Sequence, residues 1–198
     1  MTTPAAGRRA LLIIDVQKDF CPGGALGTER GDAVAGAIAT FVAQHRGDYD
    51  EVLTTQDWHI DPEGHFSEEP DFVTTWPVHC VAGSPGAQLH PVLRSELAAQ
   101  PADAAFFKGE YTAAYSAAEA TTAEGDNQTG FLDYLDAHNI TSVDAVGIAT
   151  DHCVRASVLD ILATDRTVRV LTDMCSPVSD EAAAAALEEM RAAGAEVV

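Results

Sequence analysis

The sequence predicts an α/β fold: three layers, α/β/α, around a central, mostly parallel sheet of about six strands. Three observations carry this expectation. Residues 9–16 and 143–149 are continuous apolar runs, too short for helices and rich in β-branched residues, as strands buried on both faces are. Segments with apolar residues at helical spacing lie between the strand-like runs. Strand and helix signals alternate along the chain, which implies parallel strands joined by helical crossovers. There is no repeat and no interdomain linker, so residues 1–198 read as one domain, with 1–8 as a loose N-terminal segment.

Residues 9–16 form the first strand, which ends in an acid, Asp15. Ligands in open α/β sheets bind beyond the carboxyl ends of strands, so Asp15 stands at a site position, although an acid there also serves as a cap or turn former. The segment 17–24 reads as a loop. Residues 32–45 read as an amphipathic helix with Val34, Ile38, Phe41 and Val42 on one face, and 51–56 as a second strand.

Residues 57–86 form a long loop rich in Gly, Pro and aromatics, and it holds three of the seven histidines. A loop of that length in a compact domain is usually functional or disordered, and its aromatics argue against disorder. Asp57 and His59 are two apart, so an extended segment points both the same way. With His65 and His79 they could complete a carboxylate–imidazole ligand set for Zn²⁺, Fe²⁺ or Mn²⁺. Scattered surface histidines are the competing explanation for each one taken singly.

Residues 90–100 read as a short helix and 104–109 as a third strand, ending in Lys108. Only Lys18 and Lys108 are lysines, against nine arginines, so a lysine inside an apolar strand needs a reason; a salt bridge or a snorkelling side chain would supply one. A polar loop over 110–120 carries Tyr111 and Tyr115, and 121–128 reads as a solvated turn. Thr129 is the expected cap of a helix reaching His138, with Phe131, Leu132 and Leu135 inward.

The stretch 143–149 then runs into a helix with Thr150 or Asp151 as expected N-cap and Val154, Val158, Ile161 and Leu162 inward. Cys153 sits at that junction. The helix dipole and free N–H groups there favour a thiolate and a developing oxyanion, while a buried core thiol is the ordinary alternative. Residues 167–171 are another strand, Ser179 or Asp180 starts an alanine-rich helix to Ala193, and 195–198 is an edge strand. Asp15, Lys108 and Cys153 thus all fall at strand ends on one edge of a parallel sheet.

Composition limits the partners. The charge is 11 − 31 = −20, which repels phosphate backbones, so no nucleic acid is expected. No apolar run reaches the roughly 20 residues of a membrane helix, and residues 1–7 lack the charged start and apolar stretch of a signal peptide. Four cysteines without a C-x-x-C pair read as reduced thiols. A cytoplasmic protein, monomeric or a small homo-oligomer, whose substrate is not a large polyanion is the expectation. A dinucleotide-binding domain is disfavoured, since no G-x-G-x-x-G follows the first strand.

Five segments in order carry a family resemblance: Ile14-Asp15-Val16-Gln17-Lys18-Asp19-Phe20-Cys21; Asp57-Trp58-His59-Ile60-Asp61-Pro62 with His65-Phe66-Ser67; Trp76-Pro77-Val78-His79-Cys80-Val81; Phe107-Lys108-Gly109; and Gly147-Ile148-Ala149-Thr150-Asp151-His152-Cys153-Val154. The chain resembles the nicotinamidase/pyrazinamidase family within the isochorismatase-like cysteine hydrolases, its actinobacterial members most. The resemblance implies a catalytic set of Asp15, Lys108 and Cys153. It implies a divalent metal, zinc or iron and alternatively manganese, on Asp57, His59, His65 and His79. It implies a ring pocket lined by Phe20, Trp76 and Tyr115. It also implies a cis peptide between Ile148 and Ala149, with the Ala149 and Cys153 N–H groups as oxyanion hole. The activity implied is deamidation of nicotinamide, with pyrazinamide as a second substrate. Lys18 departs from the asparagine common in the family and is expected to face solvent. Other readings are a different amide- or carbamoyl-cleaving relative, which would generally lack the Asp-x-His and His set, and a non-catalytic metal or ligand binder. Ether hydrolysis of the isochorismate type is disfavoured because its members lack the cysteine.

Overall fold

A computed structural model of the chain describes residues 7–122 and 128–198. Strands β1 (Arg8–Ile14), β2 (Glu51–Asp57), β3 (Ala104–Lys108), β4 (Thr121–Thr122), β5 (Ile140–Ile148), β6 (Thr167–Ser176) and β7 (Glu196–Val197) form one seven-stranded sheet in the order β4-β3-β2-β1-β5-β6-β7. All neighbours are parallel except β3 and β4. Helices α1 (Gly31–His45), α2 (Pro91–Ala99), α3 (Phe131–Ala137), α4 (Arg155–Leu162) and α5 (Asp180–Ala193) connect them.

β1 lies in the middle of the sheet, and its alternation divides the core. Leu11 and Ile13 pack with Val34, Ile38 and Val42 of α1 and Leu93 of α2. Ala10, Leu12 and Ile14 face the other way, against Phe131 and Leu135 of α3, Val158 and Ile161 of α4 and Met190 of α5. Each buried Leu or Ile side chain stabilises by about 1.5–3 kcal/mol, so this strand needs both helical layers. The chain order reverses between β2 and β5 around β1, which is where such sheets open a crevice at their carboxyl edge.

β2 is buried throughout despite its polar sequence. Most of its polar side chains are paired: Glu51 with Arg8 (2.9 Å) and His138 (2.6 Å), Thr55 with Asp15, and Gln56 with the Ala87 carbonyl. Partnering of this kind removes most of the penalty for burying polar groups.

Several expectations change at element boundaries. Arg8 already lies in β1, so it does not belong to the loose N-terminal segment expected over 1–8; residues 1–6 lie outside the described residues. The turn expected over 121–128 begins instead with β4, which pairs antiparallel with Phe106 and Phe107; 123–127 lie outside the described residues. Helix α3 is not capped by Thr129: Gly130 holds the N-cap position, and no side chain caps it. The loop 110–120 contains a short 3₁₀ turn, Ala117–Glu119, closed by a capping box of Ser116 and Glu119. β6 runs five residues further than its apolar run, through a register shift against β5.

Neither Thr150 nor Asp151 caps α4. Residues Thr150–Val154 form a wide turn closed by Val154 N–H to the Ala149 carbonyl (3.0 Å), and α4 follows from Arg155. The Asp151 carboxylate instead accepts from the Val178 N–H (2.9 Å), tying this turn to the approach of α5. The wide turn adds room at the N-terminal end of the helix, as such turns do at functional sites.

Candidate active site

Four strand ends deliver the site. Asp15 directly follows β1 and has φ 47°, a turn that swings its carboxyl out of the strand line. Asp57 and Lys108 close β2 and β3, where they pair across the sheet. Cys153 comes from the wide turn after β5. At Gly147 in β5, φ is 129° and an added Cβ would lie 2.0 Å from the Ile14 carbonyl oxygen. Only glycine lets β5 approach β1 this closely, beside Asp15.

The three groups expected at the sheet edge meet. Lys108 Nζ lies 2.9 Å from Asp15 Oδ2 and 3.7 Å from Cys153 Sγ, and it also contacts the Asp57 carboxylate. All four side chains are buried. Thr55 Oγ1 donates to Asp15 Oδ1 at 2.7 Å. Gln17 grips the Asp57 backbone from both sides: its Nε2 donates to the Asp57 carbonyl and its Oε1 accepts the Asp57 N–H, each at 2.8 Å. Thr55 and Gln17 were not foreseen as site residues. A glutamine buried just past an apolar strand was the available signal.

Burial pushes the Asp15 carboxyl up, against the opposing pull of Lys108, so it is more basic than an ordinary carboxylate. Burial acts the same way on Asp57, but the Lys108 ammonium and the adjoining His59 ring outweigh it and hold its carboxyl low. Lys108 stays charged: burial disfavours its ammonium, and the anions of Asp15 and Asp57 more than compensate.

The thiol departs from the expectation of a depressed pKa. Burial, with the Asp15 and Asp57 charges, holds the Cys153 thiol well above its ordinary value, and Lys108 offsets only part of this. Two carboxylates and one ammonium give the protein groups of the cluster a net charge of −1, from −2 + 1, so a further anion is unfavourable. The resting sulfur therefore carries its proton, and the basic Asp15 stands beside it to take it.

The histidines of the long loop converge as well. His59 Nδ1 donates to the Gly109 carbonyl (2.6 Å) and His79 Nδ1 to the Pro77 carbonyl (2.7 Å). Those bonds fix the tautomers, so the two Nε2 lone pairs face each other at 3.3 Å. Asp57 Oδ2 lies 3.7 Å from one and 3.9 Å from the other. His65 completes a group whose ligand atoms all lie within 4.8 Å, and its Nδ1 is buried with no hydrogen-bond partner. Burial, reinforced by the neighbouring His59 and His79, pushes the His65 imidazole down to about 4, and burial lowers that of His79. Neutral imidazoles with opposed lone pairs and an orphaned ring nitrogen fit a divalent cation, since repulsion between lone pairs becomes coordination.

The loop is pinned where ligands sit. The His59 N–H bonds the Cys80 carbonyl, and the Trp76 N–H bonds the His65 carbonyl. Gly109 has φ 76° and lies against the His59 ring, where a Cβ would be 2.6 Å from Cε1.

A cavity of about 410 Å³ opens above Cys153. Phe20, Trp76, Tyr115 and Ala149 line it as expected, and the Trp76 Nε1–H donates to Tyr115 Oη at 2.9 Å. Ile148 does not line it: that side chain packs into the core beneath, and the chain at this point contributes the cis peptide joining it to Ala149. His152, Phe72 and Val178 line the cavity without having been foreseen. His152 adjoins the nucleophile candidate in sequence. Phe72 and Val178 are more than half exposed and carry no pattern that marks them. Lys18 is exposed, as expected.

A parallel sheet carrying a buried thiol, ammonium and carboxylate at its switch point, beside a histidine-rich ligand set, defines a narrow structural class. The chain belongs to the isochorismatase family, whose domain model matches residues 9–198. A nicotinamidase/pyrazinamidase of Mycobacterium tuberculosis is 46% identical over 190 residues, covering 96% of this chain and 98% of that protein. Among solved structures, PnC1 from L. infantum in complex with nicotinate is 31% identical, with a TM-score of 0.79 over 100% of this chain and 95% of that one. The pyrazinamidase of Pyrococcus horikoshii in complex with zinc is 27% identical, with a TM-score of 0.76 over 96% and 98%.

Proposed function

We propose that this chain is a nicotinamidase: a cysteine amidohydrolase that converts nicotinamide to nicotinate and ammonia and also accepts pyrazinamide. The observation that carries the reading is the buried meeting of Cys153 Sγ, Lys108 Nζ and Asp15 at the sheet edge. The nicotinamidase/pyrazinamidase and pyrazinamidase relatives support it, as does the nicotinate bound in the PnC1 structure.

The chemistry follows from the residues. A carboxamide conjugated to an aromatic ring is a poor electrophile and needs a strong nucleophile. Asp15, made basic by burial, takes the Cys153 proton, and the sulfur bonds to the amide carbon. Lys108 keeps the thiolate and the carboxylates in balance throughout. The Ala149 and Cys153 N–H groups receive the oxyanion. Asp15 returns its proton to the leaving nitrogen, ammonia departs, and a thioester remains. Water, deprotonated by Asp15, then opens the thioester to the acid. Phe20, Trp76 and Tyr115 hold a flat heteroaromatic ring, and pyrazinamide differs only in one ring atom.

Asp57, His59, His65 and His79 are the residues that would hold a divalent ion, zinc or iron, with manganese as the alternative. Such an ion supplies positive charge and a fixed point that orients the substrate ring. Four free cysteines among the described residues support a cytoplasmic setting for the enzyme. No helix among the described residues is long and apolar enough to cross a membrane.

The test is ammonia release from nicotinamide by the purified, metal-loaded protein, with nicotinate formed in equal amount. Release of neither product from nicotinamide or pyrazinamide ends this reading.

A further inference from the structure

A second group of ligand-type side chains lies outside the amidase site. Cys21 lies in the loop that follows β1, Asp32 lies in the first turn of α1, and His90 immediately precedes α2. Their ligand atoms all lie within 4.8 Å of one another. They line a cavity of about 510 Å³ that shares neither Asp57 nor Cys153 with the first. His90 Nε2 is 3.3 Å from Asp32 Oδ1, and His90 Nδ1 is buried without a hydrogen-bond partner. The Cys21 thiol is free and buried.

We propose that Cys21, Asp32 and His90 form a second divalent-cation site, of the zinc class, independent of the amidase reading. A tetrahedral ion with bonds of about 2.0–2.1 Å to nitrogen and oxygen holds those atoms about 3.3–3.4 Å apart, close to the separation of Asp32 and His90. One thiolate and one carboxylate match the ion's two charges, and the imidazole adds a neutral donor. The sulfur selects borderline-soft ions such as Zn²⁺ or Co²⁺ over Mg²⁺ and Ca²⁺. Three protein ligands leave a fourth position toward the cavity for water. Lys18 lines the same cavity and opposes a cation there, but it is solvent-exposed, and Asp19 stands beside it. The chain's charge of −20 favours cations over the whole surface.

The ion would add a link through side chains among the loop after β1 and the starts of α1 and α2, where the His90 N–H already bonds the Val16 carbonyl (2.8 Å). Cys21 follows Phe20, which lines the substrate cavity and rests 5.7 Å from the His79 ring. Occupancy at the second site therefore stiffens one wall of the first.

The two sites differ in a way that spectroscopy reads. The Asp57–histidine set contains no sulfur, so thiolate-to-cobalt charge-transfer absorption reports the second site once Cys153 is removed. Metal-free Cys153→Ala protein is titrated with Co²⁺. The expected result is a charge-transfer band that belongs to one ion per chain, apart from the ion without a band that the Asp57–histidine set takes up, and that disappears in Cys21→Ser. Asp32→Asn and His90→Gln each weaken that ion by at least about 10-fold, with the circular dichroism unchanged. Asp32 is on the surface of a helix turn, so its variant decides the matter even where Cys21→Ser fails to fold. Cobalt bound without the band, a band that survives Cys21→Ser, or an affinity unmoved by both remaining variants overturns the proposal.

Discussion

Replacing Gly109 with alanine tests how the fold aims a metal-ligand candidate. Gly109 sits at φ 76°, and its carbonyl accepts the His59 Nδ1–H at 2.6 Å. An added Cβ would lie 2.6 Å from His59 Cε1 and 2.9 Å from Nδ1, inside any contact distance that real atoms adopt. Two costs add. Placing alanine in the left-handed region costs about 1–2 kcal/mol, and overpacking a tight site costs about 1–3 kcal/mol. A total near 3 kcal/mol lowers the melting temperature of a domain this size by about 6–12 °C. The second consequence is specific: His59 must move from the carbonyl that fixes its tautomer, and losing such support weakens metal binding by about 10- to 100-fold. Gly83→Ala is the internal control, since Gly83 has φ 75° with nothing within 4 Å of the added Cβ. It should show the conformational cost of about 1–2 kcal/mol alone, with metal content untouched. Thermal denaturation and elemental analysis read both quantities. Equal losses in the two variants, with metal retained in both, would refute the claim that Gly109 positions His59.

Other variants probe the remaining contacts. Thr55→Val removes a bond to the Asp15 carboxylate worth about 1.5–3 kcal/mol. The charged form of Asp15 loses support, its pKa rises further, and the acid limb of kcat/KM moves to higher pH; an unmoved limb denies Asp15 the role of base. Lys108→Met leaves Asp15 and Asp57 buried and uncompensated, at a cost of about 3–5 kcal/mol near neutral pH. In wild type the raised Lys108 pKa gives stability that is complete below lysine's ordinary value and lost as pH climbs past it. In the variant the folded state binds protons more tightly than the unfolded chain, so the deficit shrinks as pH falls from 7 toward 5; denaturant titrations showing a constant deficit contradict this. Trp76→Phe deletes the bond to Tyr115 and should raise KM by about 2- to 10-fold with kcat nearly unchanged. A fall in kcat alone would place Trp76 in the chemistry instead of the pocket wall.

The parts of the fold legible in the sequence are those where one residue type has one physical use. Leu11 to Ile14 can only be a strand buried on both faces, and Asp15, Lys108 and Cys153 fall at strand ends whatever the register. β4 was hidden because two threonines carry no periodicity, and only pairing to Phe106 and Phe107 makes them a strand. The wide turn at Thr150 was hidden because Asp151 has the chemistry of a cap but spends its oxygens on Val178 and Ser179, far along the chain. The state of the Cys153 proton depends on charges brought from β1 and β2, which no local pattern reports. Phe72 and Val178 join the cavity wall through tertiary placement alone.

The central claim is that the Cys153 sulfur is the nucleophile, served by Asp15 and Lys108. Its most direct measurement is nicotinamide turnover by Cys153→Ala at matched fold and metal content. The account predicts a loss of about 10⁴-fold or more, with the melting temperature essentially retained; turnover within a few-fold of wild type would contradict it.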